Sequence, residues 1–298
     1  MQLIDLLRPL TRSLRSVRGG VLIGEIVRRS YGGSRRIARI DDFDGDLTIS
    51  LDLGEHMQSQ IFWYGYYSID LVPVLKHILR KGDSVLDCGA NVGELALIAA
   101  KLVGPRGRVI AFEPLDRLAD QLEANIFANE LGNVEVLRLG VAASEGTAPI
   151  YVAPSRYLDG TRHEGLGSLF SSSDRSEIAA AISLTSIDKI VGDLQVARID
   201  LIKLDIEGGE LAALKGAERT LRNLKPSLIV ELGRETCLAA GYAPEEVFDF
   251  LVSLGYSILR IGRRGRLDVI DRDGLCDFQN LYCVSRDRIS REPTGPSA

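Results

Sequence analysis

From residue 72 onward, stretches with helical spacing and short runs of strand-forming apolar residues take turns along the chain. Helical spacing covers 72–79, 95–102, 118–128, 210–221 and 244–254, and strand-like runs cover 84–88, 109–112, 134–139, 201–204, 227–231, 256–261 and 281–285. Such alternation is the pattern of a mostly parallel sheet whose two faces are both covered by helices. It predicts an α/β fold of the Rossmann-like kind, with seven strands and a final antiparallel pair. No internal repeat interrupts it.

What precedes residue 72 reads differently. The first thirty residues set leucines between arginines and are broken at Pro9 and at Gly19-Gly20, which predicts one or two short amphipathic helices. Asp44-Gly45 separates two short alternating runs, 39–43 and 47–53, a hairpin signal. The expected organisation is a helical and hairpin extension over 1–60, a catalytic-type domain over 61–286 and a frayed tail over 287–298. Residues 154–177 are too polar and too rich in Gly and Ser for a core, and a loop of that length is usually functional or disordered.

Charge narrows the classes of partner. The formal net charge is −5, yet residues 1–40 hold nine arginines against Asp5 and Glu25, a local +7 that leaves −12 on the remainder. A basic face on an acidic body leaves self-association or docking to an anionic surface open for the N-terminus, whereas nucleic acid is not expected because no basic stripe accompanies the acidic body. The four cysteines, at 88, 237, 276 and 283, have neither zinc-site spacing nor the density of a disulfide framework. With no apolar run long enough for a signal peptide or a membrane span, the expected location is the cytoplasm.

The sharpest local feature is Val85-Leu86-Asp87-Cys88-Gly89-Ala90-Asn91-Val92-Gly93, a strand entering a glycine turn that opens a helix. At such a junction the backbone turns sharply and approaches a ligand. A second strand ends in Glu113, 24 residues after Gly89, where an acid can accept both ribose hydroxyls of an adenosine. A dinucleotide site asks for G-x-G-x-x-G, and here Ala90 and Asn91 stand where the middle glycine would be. Asp87 and Asn91 suit a phosphate-free ligand with an amino-acid tail better than a pyrophosphate. A nicotinamide oxidoreductase remains the competing reading at this level.

These segments, together with VEVLRLGVAASEGTAPIYV at 134–152, GSL at 167–169, LTSIDKI at 184–190, and above all IKLDIEGGELAALKGA at 202–217 followed by VEL at 230–232, resemble the FkbM-type family of S-adenosylmethionine-dependent methyltransferases. The likeness extends over roughly 60–255. It implies the seven-stranded methyltransferase sheet and methyl transfer to a hydroxyl of a sugar, glycan, polyketide or other small molecule. On the matching residues, Asp87, Gly89, Ala90, Asn91 and Gly93 would line the methionine end of the cofactor, Glu113 its ribose, and Ala142 with its neighbours the adenine. Asp205 and Glu207 would stand at the mouth of the fourth strand. Three departures are visible: Leu115 replaces a frequent polar residue, Leu232-Gly233 follow Glu231 where the family often has His, and the turn 140–144 offers the adenine no acid.

A hydroxyl attacks well only if its proton has somewhere to go. Alternation along an extended segment would put Asp205 and Glu207 on one side, as a proton acceptor with an orienting partner. The pair is also compatible with Mg²⁺, although nothing in it calls for a metal. Glu231 at the end of the fifth strand and His163 in the polar loop are further candidates, while His56 and His77 read as framework. A methyltransferase-fold binding module without turnover is the rival from another class, because fold alone does not fix function.

Overall fold

The computed structural model describes residues 36–152, 161–162, 167–171 and 176–286, together with 7–9, 11, 26 and 28–29. His163, most of the amphipathic stretch 1–30 and the tail 287–298 lie outside them.

In chain order the elements begin with β1 (Ile37–Phe43), β2 (Leu47–Asp52), α1 (His56–Tyr64), α2 (Leu71–Ile78), β3 (Ser84–Cys88), α3 (Glu94–Val103), β4 (Arg108–Phe112), α4 (Asp116–Ala128) and β5 (Val134–Leu137). There follow β6 (Gly140–Val141), β7 (Gly146–Val152), β8 (Glu177–Thr185), α5 (Ile187–Asp193), β9 (Leu201–Leu204), α6 (Glu210–Lys215), α7 (Glu218–Asn223) and β10 (Ser227–Gly233). The last are α8 (Arg234–Ala239), α9 (Pro244–Ser253), β11 (Tyr256–Ile261), β12 (Leu267–Val269) and β13 (Phe278–Ser285).

The main sheet runs β12-β11-β13-β10-β9-β3-β4-β5. Its centre is parallel, and β13 lies antiparallel between β10 and β11. All seven expected strands are present, plus an eighth, β12, on the edge. Three residues, Leu267-Asp268-Val269, are too few to show a period, so β12 left no trace in the pattern. The chain moves outward from β3 through β4 to β5, then returns to the other side of β3 as β9. Ligands of open α/β sheets bind at the carboxyl ends of strands beside such a reversal.

Strand alternation divides the core between the two faces. Val85 and Leu201 join one apolar cluster with Trp63, Leu75 and Leu97, whereas Leu86, Ile202 and Leu204 join the other with Leu214, Phe248 and Leu251. Helices therefore cover both faces, as expected. Two differences from the sequence reading have local causes. Between 139 and 201, where the pattern marks neither helix nor strand, β6, β8 and β7 form a small second sheet in that order. The single helix expected over 210–221 is two helices, divided where Ala217 leaves helical geometry (φ −111°, ψ 3°), and Gly216 beside it must lack a side chain because one would meet the Ala142 carbonyl at 2.2 Å. The Asp188 carboxylate accepts from the amides of Arg219 and Thr220, at 2.9 and 2.7 Å, and so caps the second helix.

The β1–β2 hairpin forms on Asp44-Gly45 and packs on α4 through carboxamides. Asn125 accepts from the Ser50 amide at 2.8 Å and donates to the Val92 carbonyl at 2.9 Å, while Asn129 accepts from the Thr48 amide at 2.6 Å. Arg8 joins the same side, donating to the Phe62 carbonyl at 3.1 Å with its guanidinium over the Phe62 ring. Among the described residues no helix is long and apolar enough to cross a membrane.

Asn125 is 1% exposed, so truncating it strands a buried amide and a buried carbonyl. Asn125→Ala is expected to lower the unfolding free energy by about 1–3 kcal/mol in urea titration, the usual cost of unsatisfied buried groups. An unchanged midpoint would show that these carboxamide bonds contribute nothing to stability.

Candidate functional site

A cleft of about 660 Å³ opens at the carboxyl ends of β3, β4, β9 and β10. Its floor is set by strand register. Asp87 of β3 and Lys203 of β9 are direct neighbours across the parallel pair, so both side chains leave the same face. The Lys203 ammonium, on a residue 5% exposed, donates to the Gly89 carbonyl at 2.8 Å and stands 3.2 Å from Asp87 and 3.4 Å from Asp205. Burial works against its charge, but these carboxylates outweigh it and hold the pKa above the ordinary lysine value. Neither Asp87 oxygen reaches hydrogen-bond geometry with a partner, although the residue is 2% exposed and lines the cleft. That leaves acceptor capacity for a ligand carrying an ammonium group.

The glycine loop wraps one end of the cleft. Gly89 has φ +81°, and a side chain there would strike the Asp205 carbonyl at 2.0 Å, so only glycine lets β3 and β9 open side by side. Asn91 sends its amide to Glu113 at 2.9 Å, and the other Glu113 oxygen accepts from the Leu115 amide at 3.0 Å. Burial pushes the Glu113 carboxyl up to about 7, against the pull of these two amides and of Lys203. Ala90 and Asn91 line the cleft with Glu113.

Two residues expected at the cofactor do not line it. Gly93 begins α3 with φ +98°, and a side chain there would meet Leu122 at 2.6 Å; its part is in packing the helix. Ala142 donates its amide to Thr185 at 2.8 Å, and Leu139, Gly140 and Val141 occupy the lining in its place.

On the other side stand Asp205, Glu207 and Glu231, each with a carboxylate oxygen within 4.8 Å of the others. A divalent cation could be held at that spacing. The alternation expected to pair Asp205 with Glu207 is not what unites them, because β9 ends at Leu204. The chain turns instead through left-handed Glu207 (φ 55°) and Gly208 (φ 103°). Buried Glu210 holds that turn, accepting from the amides of Ile206 and Gly208 at 3.0 Å each and from the Tyr242 hydroxyl at 3.1 Å. Ser168 adds a 2.6 Å bond to the Glu207 carbonyl. Burial, then the charges of Asp205, Glu207 and Glu210, push the Glu231 carboxyl well above the carboxylate range. His163 is outside the described residues.

Sequence reasoning missed Lys203, Glu210 and Glu94. A lysine inside the four-residue strand Leu201-Ile202-Lys203-Leu204 was a signal, since lysine is almost never buried without partners. Glu94, 3% exposed, accepts from Ser68 and from the Tyr67 amide, tying the start of α3 to the segment before α2. Nothing in its spacing marks that tie.

The family model described as the methyltransferase FkbM domain matches residues 87–258. Among curated relatives, the AMB antimetabolite synthetase AmbE of Pseudomonas aeruginosa is 26% identical over 238 residues, covering 70% of this chain and 11% of that protein. The chain therefore spans a small part of that relative's length. Methyltransferase sdnD of Sordaria araneosa is 27% identical over 204 residues, covering 61% of this chain and 76% of that one. The hexuronic acid methyltransferase AglP of Haloferax volcanii is 28% identical over 196 residues, covering 65% and 72% respectively.

Replacing Lys203 by Met would leave Asp87 buried without a counter-charge. Lys203→Met is expected to cost about 3–5 kcal/mol of stability by urea unfolding, the range for removing one partner of a buried pair. A loss below about 0.5 kcal/mol would mean that the ammonium does not organise the site.

Proposed function

The chain belongs to the FkbM family of S-adenosylmethionine-dependent methyltransferases, and on that premise we propose that it methylates a hydroxyl oxygen of a sugar, glycan or other small molecule. The observation that carries this reading is the convergence, in one cleft, of a glycine loop, a strand-end acid and a carboxylate cluster facing them. The name of AglP, a hexuronic acid methyltransferase, supports a sugar ring as the acceptor's scaffold, and the charge of the ring's substituents is a separate matter set by the cleft.

The residues fit the cofactor. Glu113 would accept the ribose hydroxyls, the unsatisfied oxygens of Asp87 would take the ammonium of the methionine end, and Leu139 to Val141 would flank the base. When bound, S-adenosylmethionine supplies an electrophilic methyl group that leaves a neutral thioether behind. Catalysis by the chain then consists of holding the acceptor oxygen in line and removing its proton. Asp205, Glu207 and Glu231 serve the second task. Three carboxylates this close cannot all ionise freely, so the cluster takes up a proton more readily than an isolated acid. Asp205 is the first candidate for proton acceptor, as it follows β9 directly into the cleft and lies within the carboxylate cluster, with Glu207 and Glu231 as its partners. Mg²⁺ at the same three carboxylates would orient the acceptor, and a chelator that abolishes turnover reversibly would reveal it.

Glu113 gives a pH signature. Hydroxyls donate to the ionised carboxylate, so binding favours the deprotonated form of a group that titrates at about 7 in the free protein. Cofactor affinity measured by calorimetry is expected to rise by up to about tenfold per unit from pH 5 to 7, then level off, with proton release. Glu113→Gln is expected to weaken binding at least about tenfold and to flatten this profile. A variant with native affinity would place the ribose elsewhere.

Purified protein incubated with S-adenosylmethionine and a panel of hydroxyl compounds is expected to form S-adenosylhomocysteine with a subset of them. On such an acceptor, Asp205→Asn is expected to cut kcat by roughly 10²–10⁴-fold, the range for a positioned acid or base, with a far smaller change in cofactor affinity. Native turnover in that variant would assign Asp205 to structure. Turnover of no hydroxyl compound, with the cofactor bound, would favour the binding-module reading.

A further inference from the structure

Phe278 begins β13 and is 63% exposed, yet it lines the cleft. Antiparallel register sets Phe278 opposite Gly233 and Asn280 opposite Glu231. Directly opposed residues share a face, and so do residues two apart on one strand, which places the Phe278 ring on the same face as the Glu231 carboxylate, one strand repeat further out. Gly233 puts no side chain of its own between the ring and β10; one there would meet the Thr236 hydroxyl at 3.0 Å and the ring at 3.6 Å. A flat apolar surface therefore adjoins the carboxylates, on a rim that also carries exposed Leu238 and the acidic Glu235 and Asp277.

Among the described residues, carboxylates outnumber cations around that surface. Among the described residues lining the cleft, the cations are Lys203 and Arg234. Lys203 is committed to Gly89, Asp87 and Asp205. Arg234 donates to Glu245 at 2.9 Å and to Asp277 at 3.0 Å. Opposite them stand Asp205, Glu207 and Glu231, with Glu235 and Asp277 on the rim. An acceptor anion beside the reacting hydroxyl would face this excess of carboxylates, with both cations among the described lining residues already paired, and like charges set against a ligand are an effective means of rejecting it.

Resting on the methyltransferase reading above, we propose that the acceptor is an uncharged or amine-bearing ring that lies with its apolar face on Phe278, and that the cleft rejects rings carrying a carboxylate next to the reacting hydroxyl. Phe278 is then a specificity-determining residue. Ring C–H groups meet the electron-rich aromatic face, and an amino substituent meets the carboxylate rim.

The test uses the full chain saturated with S-adenosylhomocysteine and three probes of one shape: the methyl glycosides of glucose, glucosamine and glucuronic acid. Saturation-transfer NMR is expected to show the glucoside and the glucosaminide at least fivefold more strongly than the glucuronide. Both signals are expected to vanish in Phe278→Ala and to persist in Phe278→Trp, with S-adenosylhomocysteine affinity unchanged in either variant. A glucuronide signal equal to the others, native signals in Phe278→Ala, or silence from all three probes would overturn the proposal. Turnover of anionic acceptors in the hydroxyl panel would overturn it while leaving the methyltransferase reading intact, and failure to bind S-adenosylhomocysteine would remove both.

Discussion

A single buried ammonium organises this molecule. Lys203 sits at the centre of the main sheet, where water cannot solvate its charge, and burying an unpaired ammonium is prohibitively unfavourable. The sheet answers with three partners from two neighbouring strand ends: the Gly89 carbonyl, which accepts a hydrogen bond, and the Asp87 and Asp205 carboxylates, which form ion pairs. Each also belongs to the cleft. Asp87 and Gly89 lie on the side we assign to the cofactor, Asp205 on the side we assign to the acceptor, so the ammonium ties the two halves at a fixed distance. Slipping β9 by one residue would turn Lys203 into the opposite apolar cluster and Leu204 into the site. The pair therefore selects register as much as it stabilises.

The carboxylate side obeys the same constraint from the other direction. Asp205, Glu207 and Glu231 repel one another, and they are brought together because Glu210 clamps the Glu207-Gly208 turn while Lys203 neutralises its near end. Strain in the left-handed Glu207 and crowding of like charge are held by buried hydrogen bonds. A site so arranged has a raised proton affinity where an acceptor hydroxyl would lose its proton.

Much of the fold was legible because it is carried by period. The seven strands and their intervening helices announced themselves as alternating apolar runs, and the antiparallel final pair followed from the missing helix between them. What was not legible depends on contacts remote in sequence. Gly216 must be glycine because the Ala142 carbonyl is there, and the β6-β8-β7 sheet joins residues between 25 and 44 positions apart. The site divides in the same way. Gly89, Glu113, Asp205, Glu207 and Glu231 could be named from strand-end positions, and they do line one cleft. Their partners Lys203 and Glu210 could not be assigned roles, because a buried charge is recognised by its neighbours across the sheet. Ala142 and Gly93 were drawn toward the cofactor by position in the chain, and neither lines the cleft.

The claim that one ammonium joins the two halves is tested most directly by a double-mutant cycle on Asp87→Asn and Asp205→Asn, read as unfolding free energy in urea. Either single change leaves Lys203 one carboxylate, whereas the double change leaves it buried with a lone carbonyl. The account predicts that the double variant loses more stability than the two singles combined, by about 0.5–3 kcal/mol, the range for residues sharing a partner. Additivity within about 0.3 kcal/mol would mean that Asp87 and Asp205 do not share the ammonium, and would contradict the account.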